Sequence, residues 1–521
     1  MEENVRFQRI SSPLARYDGR MKLDPDTCYR AVASHDRRFD GRFFVGVSST
    51  GVYCRPVCAV RTPRRENCSF YETAAAAEKN GYRPCLRCRP ELAPGHGLAD
   101  ISGRLAQAAA TLIDEGFMAD GGVAQLAARI GVTERHLRRL FDAEFGVSVL
   151  EYAQTQRLLL AKRLLTDTAL PVAEVAHAAG FGSVRRFNDV LKTRYGLTPL
   201  AMRKRAADGM ADRLVFELGY RPPYAWNALL GFLGTRAVDG VEHLQGEAYL
   251  RTMAVESGGR LHVGWVRIEH VPRRLVLRVT LSASLAHAIP QALGKVRRLC
   301  DLGCRPDVVD RHLGDLAAEM PGIRLPGTFD GLEIAVRAIV GQLISVVHAR
   351  RILARLVTIA GIPLPAGVAV PAADAVAPLT HAFPTATALA ALSDDAYRAA
   401  GVPAGKMRAI RALAQQVDTR ALRLEPQAPP EDTISALRAV PGIGDWTAQY
   451  IAMRALGWPD AFPATDYALR KVLGVETIRD MNARTAQWAP WRAYAAIHLW
   501  YRYEQRKLRA DADHDTVKEP A

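Results

Sequence analysis

Six of the chain's eight cysteines fall within its first 90 residues, and four of those six form two tight pairs, Cys54-x3-Cys58 and Cys85-x2-Cys88. A disulfide scaffold spreads its cysteines through a short secreted chain, and each of these turns is too tight for a comfortable disulfide of its own. Thiolates at such spacing converge on a tetrahedral zinc ion, so the sequence predicts Zn2+ held by Cys54, Cys58, Cys85 and Cys88. Cys28 and Cys68 lack paired neighbours and read as small buried hydrophobes. On spacing alone the zinc can be purely structural.

A chain of 521 residues has room for three or four domains, and its 49% hydrophobic content excludes a disordered or fibrous protein. No run of about 18 uncharged apolar residues exists, and Met1–Arg20 is polar and arginine-rich without an apolar core, so the expectation is a cytoplasmic protein with no membrane contact. Lys and Arg number 69 against 54 Asp and Glu, a net charge of +15. Residues 1–210 contribute 32 of those cations against 23 acids, so the bias is spread along the chain. That suits several modules sharing one polyanion, although a basic solvated surface gives the same composition.

Breakers and periodicity divide the chain. An irregular leader (1–24) precedes the cysteine module (25–95), and Ala93–Gly97 reads as a linker. Residues 101–206 are helical throughout, with turns at Gly131, Gly146, Gly180 and Gly196. Strand alternation and a hairpin around Gly258-Gly259 mark an α+β segment over 213–325. Helices resume over 326–506, with a loop-like Ala- and Pro-rich stretch at 363–384, before a flexible tail at 507–521. The expected fold is therefore multidomain and mostly α: a small α/β zinc domain, an all-α segment, an α+β unit with an antiparallel sheet, and an all-α domain.

The segment Val123–Gly131 recurs as Val172–Gly180, offset by 49 residues, and a basic second helix follows each copy. Small residues at Ala127 and Ala176, each four before a glycine, fit two helix-turn-helix units able to enter successive major grooves. Arg135, Arg138, Arg139, Arg185 and Arg186 then become candidates for phosphate or guanine contacts. A helical packing domain with a basic face is the plainer alternative.

Leu437–Tyr450 contains Pro441-Gly442-Ile443-Gly444, a helix-hairpin-helix turn whose Gly442 and Gly444 let backbone amides approach a phosphate. By itself this means sequence-independent binding of double-stranded DNA. Asp466, twenty residues beyond Trp446, adds a carboxylate at the spacing of base-excision glycosylases.

Three stretches resemble known families. Gly51–Cys58, Arg65–Tyr71 and Gly81–Pro90 resemble the N-terminal domain of the Ada family, which transfers a methyl group from a DNA phosphotriester irreversibly to one zinc-bound cysteine. The resemblance implies Cys54 as methyl acceptor and DNA contacts at Thr50, Arg61 and Arg83; a basic family position is Ala59 here. Gly180–Pro199 resembles the AraC-type DNA-binding domain, which implies an operator, activation of transcription and RNA polymerase as a further partner. Tyr220–Trp226, Leu230–Leu233, Leu325–Gly327, Val336–Leu343 and Ile497–Tyr501, with the hairpin and Asp466, make the chain from about 213 to 506 similar to 3-methyladenine DNA glycosylase II of the AlkA type. That resemblance implies base flipping and hydrolysis of the N-glycosidic bond of alkylated bases. It places the active-site carboxylate on Asp466, pocket aromatics on Trp446 and Trp500 with Tyr450 nearby, and the duplex wedge on Leu343 beside Gln342. Thr465 stands where the family can carry an acid, and Trp446 stands where strand-cleaving relatives carry a lysine, so release of the base without strand cleavage is expected. Trp458, Trp488, Trp491 and His498 read as core. The Pro-Cys-His-Arg motif of guanine-demethylating domains does not match the surroundings of Cys300 and Cys304. The rival expectation is a transcription regulator whose C-terminal half is a non-catalytic DNA clamp.

Overall fold

The computed structural model describes residues 24–95, 104–203, 213–368, 370 and 378–516. The leader, apart from Asp24, lies outside this set, as do the last two residues of the linker Ala93–Gly97, the last five residues of the chain, and residues 207–212, which read from sequence as a second short joint between the helical and α+β segments. No helix among the described residues is long and apolar enough to cross a membrane.

The first module begins with helix Pro25–Ala33, whose Asp24 side chain caps the amide of Thr27 at 2.9 Å. Strands β1 (Phe44–Val47), β2 (Val52–Cys54), β3 (Cys68–Tyr71) and β4 (Arg83–Pro84) form a sheet in the order β3-β1-β2-β4. Alternation along β1 sends Val45 and Val47 toward Cys28, Cys68 and three of the paired cysteines, and Phe44 toward helix Ala74–Lys79 on the other face. Gly46 is required there: a Cβ would come within 2.9 Å of the rings of both Tyr71 and Tyr82. Cys28 and Cys68 are buried, as expected.

The next segment holds two helix-turn-helix units, Val123–Ile130 with Glu134–Phe145 and Val172–Ala178 with Val184–Tyr195. Gly131 and Gly180 adopt φ of 79° and 78°, left-handed turns that a side chain would strain. Helix Val149–Asp167 bridges the units, and its 19 residues span about 28 Å. The first unit keeps its own core around Leu126, Leu137 and Phe141, whereas Val175, Phe187 and Leu191 of the second join the large core of the C-terminal half.

That half opens with a five-stranded antiparallel sheet, β5 (Arg213–Gly219), β6 (Glu242–Gln245), β7 (Ala248–Ser257), β8 (Arg260–Val271) and β9 (Val276–Ser282), ordered β5-β9-β8-β7-β6. The β7–β8 hairpin turns at Gly258-Gly259 as its sequence predicts. Beyond it the architecture is helical, with one addition to the expected loop: β10 (Ile362–Pro363) pairs with β11 (His381–Ala382). A second difference lies at the end, where helix Arg492–Thr516 runs ten residues past the expected boundary at 506. Lys507–Ala510 are good helix formers, but the polar run Asp511–Thr516 that follows carries no apolar stripe to announce the helix.

Candidate functional sites

The zinc module brings its four predicted ligands together. Parallel pairing of β2 with β4 sets Tyr53 beside Pro84, and the amide of Cys85 donates to Tyr53 O at 3.0 Å, so Cys54 and Cys85 emerge side by side. The Cys58 amide closes a turn onto Arg55 O at 3.1 Å, and the Arg55 amide points at Cys88 Sγ at 3.4 Å. All four sulfurs lie within 4.8 Å of one another. Tetrahedral Zn–S bonds of ~2.3 Å separate sulfurs by about 3.8 Å, so the set fits zinc. Four thiolates this close repel one another unless a divalent cation lies among them. Cys54 is 4% exposed, and Cys88 is the least buried of the four. Thr50 and Arg61 are exposed and Arg83 is half-buried; the Arg83 amide donates to Gly51 O at 3.0 Å, which joins the Thr50 turn to β4.

On the second helices of the two repeat units, Arg135, Arg138, Arg139, Arg185 and Arg186 are all exposed. Arg138 pairs with Glu134 one turn back, and Arg139 lies 3.2 Å from His136 Nδ1. Thr133 and Ser183 cap these helices equivalently, accepting from the amides of His136 and Arg186 at 3.3 and 3.2 Å.

The hairpin site is built from helices Pro430–Ala439 and Asp445–Ala455. Gly442 turns at φ 92°, and both Gly442 and Gly444 are exposed. Asp466 caps helix Tyr467–Leu473, its Oδ1 accepting from the amide of Leu469 at 3.0 Å. Trp446 Nε1 donates to Asp466 Oδ2 at 2.8 Å and Trp500 Nε1 donates to Oδ1 at 3.1 Å. These three donors are neutral, so they orient the carboxylate without cancelling its charge, and Oδ2 retains an acceptor site. Trp446 stacks on Tyr450 at 5.2 Å with 6° between planes, and Trp500 lies 6.1 Å from Tyr450. Trp446 and Asp466 are half-buried and Thr465 is exposed. Leu343, by contrast, stands fully exposed, and Gln342 beneath it reaches the hairpin.

Sequence reasoning missed Arg454. Its guanidinium donates to the Tyr450 hydroxyl at 2.7 Å and to Gly327 O at 3.0 Å, fixing the ring that backs Trp446. The i,i+4 spacing of Tyr450 and Arg454 on one helix was the available signal. Trp488, Trp491 and His498 are buried; burial pushes the His498 imidazole down to about 4, so it stays neutral and supplies no acid. A cavity of about 390 Å³ between the three parts of the chain contains neither Asp466 nor a paired cysteine.

Comparison with known proteins finds three matching family models: the metal binding domain of Ada over residues 27–91, a helix-turn-helix domain over 126–205, and the AlkA N-terminal domain over 215–330. A probable bifunctional transcriptional activator/DNA repair enzyme AlkA from Mycobacterium tuberculosis is 39% identical over 496 residues, covering 92% of this chain and 97% of that protein. DNA-3-methyladenine glycosylase 2 of Escherichia coli is 36% identical over 55% of this chain and 97% of its own length. The bifunctional activator and repair enzyme Ada of Escherichia coli is 35% identical over 28% of this chain and 39% of its own.

Proposed function

Since the chain belongs to the family of bifunctional transcriptional activator/DNA repair enzymes of the AlkA type, we propose that it repairs alkylated DNA by two separate chemistries and regulates transcription in response. The C-terminal half hydrolyses the N-glycosidic bond of 3-methyladenine and related bases, and the N-terminal module takes methyl from phosphotriesters.

In the first reaction the flipped base is cationic, and electron-rich indole and phenol faces attract it by ~1–2 kcal/mol when desolvated. The open face of Trp446, backed by Tyr450, is the stacking surface. As the bond from C1′ to nitrogen breaks, its electron pair leaves with the base and neutralises it, while positive charge develops on the sugar. The Asp466 carboxylate stabilises that charge and accepts a proton from the attacking water. The observation that carries this reading is the Asp466 carboxylate, half-buried and aimed by two indole N–H groups at 2.8 and 3.1 Å. With Trp446 where a Schiff-base lysine would stand, the product is an abasic site in an unbroken strand. The test is release of 3-methyladenine from methylated duplex. Asp466→Asn is expected to lose at least 100-fold of the rate with DNA affinity retained; equal rates would favour a non-catalytic clamp.

In the second reaction the Cys54 sulfur attacks the methyl carbon of a phosphotriester. A C–S bond forms, the C–O bond breaks, and the electron pair stays on the phosphate oxygen, restoring a diester. Zinc, when bound, keeps the sulfurs deprotonated at neutral pH. The thioether product has no route back, so each chain reacts once. Methylation also removes one negative charge from a surface that faces DNA, relieving about 1–3 kcal/mol of repulsion at ~6 Å. This strengthens operator binding by the paired helix-turn-helix units, whose Arg135, Arg138, Arg139, Arg185 and Arg186 face solvent. Activation then brings RNA polymerase to the promoter, which places the protein in the cytoplasm.

A further inference from the structure

Leu343 is fully exposed and holds φ at 58°, a left-handed conformation that strains a leucine. It forms the tip of a short link between helix Gly331–Gly341 and helix Val346–Ala360. Such a residue keeps its shape only if its surroundings fix it, and two side chains do so. Gln342 Nε2 donates to Gly442 O at 3.0 Å and to Thr447 Oγ1 at 2.9 Å, tying the link to the hairpin. From the other side, Lys406 Nζ donates to Val340 O at 2.9 Å and to Gln342 O at 2.7 Å.

The position of Lys406 in its own helix is unfavourable. It is the third residue of helix Ala404–Asp418, the end where the helix dipole repels a cation, and that first turn carries no acid to offset it. Its ammonium instead binds the C-terminal carbonyls of helix Gly331–Gly341, which leads into the Leu343 link; there a cation is favoured and those carbonyls otherwise lack helical partners. We infer that Lys406 is a positioning residue that fixes the Leu343 link for insertion into the duplex. This rests on the glycosylase reading and on Leu343 as its wedge. A held wedge fills the gap left by a departing base at once, whereas a loose one must first be ordered, so Lys406 affects paired substrates most.

The test uses the full chain carrying Lys406→Met, Leu343→Ala or both. Substrates are duplexes with an alkylated base either paired or mispaired, and 2-aminopurine beside the target reports opening of the stack independently of chemistry. Lys406→Met is expected to slow single-turnover excision from the paired duplex about 10-fold and from the mispaired duplex less than ~2-fold, and Lys406→Arg to recover most of the loss. Because Lys406 acts through Leu343, the double variant is expected to match Leu343→Ala within ~2-fold. Independent, multiplying losses would overturn the inference, as would equal losses on both substrates. A salt dependence flattened by about one phosphate contact, ~0.9 in slope, would make Lys406 a DNA-backbone contact instead. Absence of base release by the unmodified chain would defeat the glycosylase reading alone, since the fluorescence still reports whether Lys406→Met impairs opening.

Discussion

Glu78 is a buried carboxyl at the junction of the zinc module and the helix-turn-helix segment, and neutralising it will remove a defined pH dependence. Three hydroxyls meet on it: Tyr53, next to Cys54, at 3.1 Å; Tyr195, at the end of the second repeat's basic helix, at 2.8 Å; and Thr155, on the bridging helix, at 2.9 Å. Burial pushes the carboxyl up from 4.5 to about 7, against the pull of those hydroxyls and of Arg194. The sign follows from proton linkage. Below pH 4.5 both folded and unfolded chains hold the proton; between 4.5 and about 7 the unfolded chain has released it while the folded one retains it. Stability therefore falls as pH rises through this window, by about 3 kcal/mol for a difference of this size. Glu78→Gln has no proton to lose and keeps the shape. All seven tryptophans lie at or beyond Trp226, so fluorescence does not see this junction, and hydrogen exchange in helices Ala74–Lys79 and Val149–Asp167 is the assay. The ratio of protection in Glu78→Gln to that in the unmodified chain is expected to rise about 100-fold between pH 5 and pH 8. Groups common to both proteins, including the cysteines, cancel in this ratio. An unchanged ratio would refute the linkage.

Two other perturbations follow from the same geometry. Arg251, Glu333, Arg337 and Glu242 form a buried ion cluster that ties the sheet to helix Gly331–Gly341, with contacts of 2.6 to 3.3 Å. Glu333→Ala leaves two buried guanidinium groups short of a partner and is expected to cost about 3–5 kcal/mol of C-terminal stability, read by tryptophan-monitored denaturation. Burial would raise Glu242, but Arg337 and Arg251 outweigh it and hold the carboxyl at about 2, so this cluster's contribution is present above pH 4.5 and is lost as pH falls toward 2. Removal of zinc by a chelator is expected to open residues 25–95 to exchange while base release continues; loss of base release in parallel would mean the two halves do not fold independently.

Much of this site chemistry was legible because it depends on local spacing. Paired cysteines and glycines at helix turns are features of a linear string, whereas the role expected of Asp466 came from the family resemblance and not from its spacing alone. What stayed hidden depends on contacts across long separations. Nothing near Glu78 in sequence announces hydroxyls 25, 77 and 117 residues away. Lys406 reads as an ordinary surface lysine until the end of a helix some 65 residues earlier is set against it. Exposure is likewise not written in a linear string: the resemblance implies Cys54 as the reacting sulfur, and Cys88 is the most exposed of the four cysteines.

The central claim is that two independent chemistries share one chain. Methylated duplex carrying both lesions, incubated with the unmodified protein, Cys54→Ala and Asp466→Asn, tests it in a single experiment that measures freed base together with the mass of each cysteine-containing peptide. The account predicts a single added methyl on Cys54 and free 3-methyladenine for the unmodified chain, loss of only the adduct in Cys54→Ala, and loss of only the free base in Asp466→Asn. A methyl group found on Cys88, or base release that disappears together with the adduct, would contradict it.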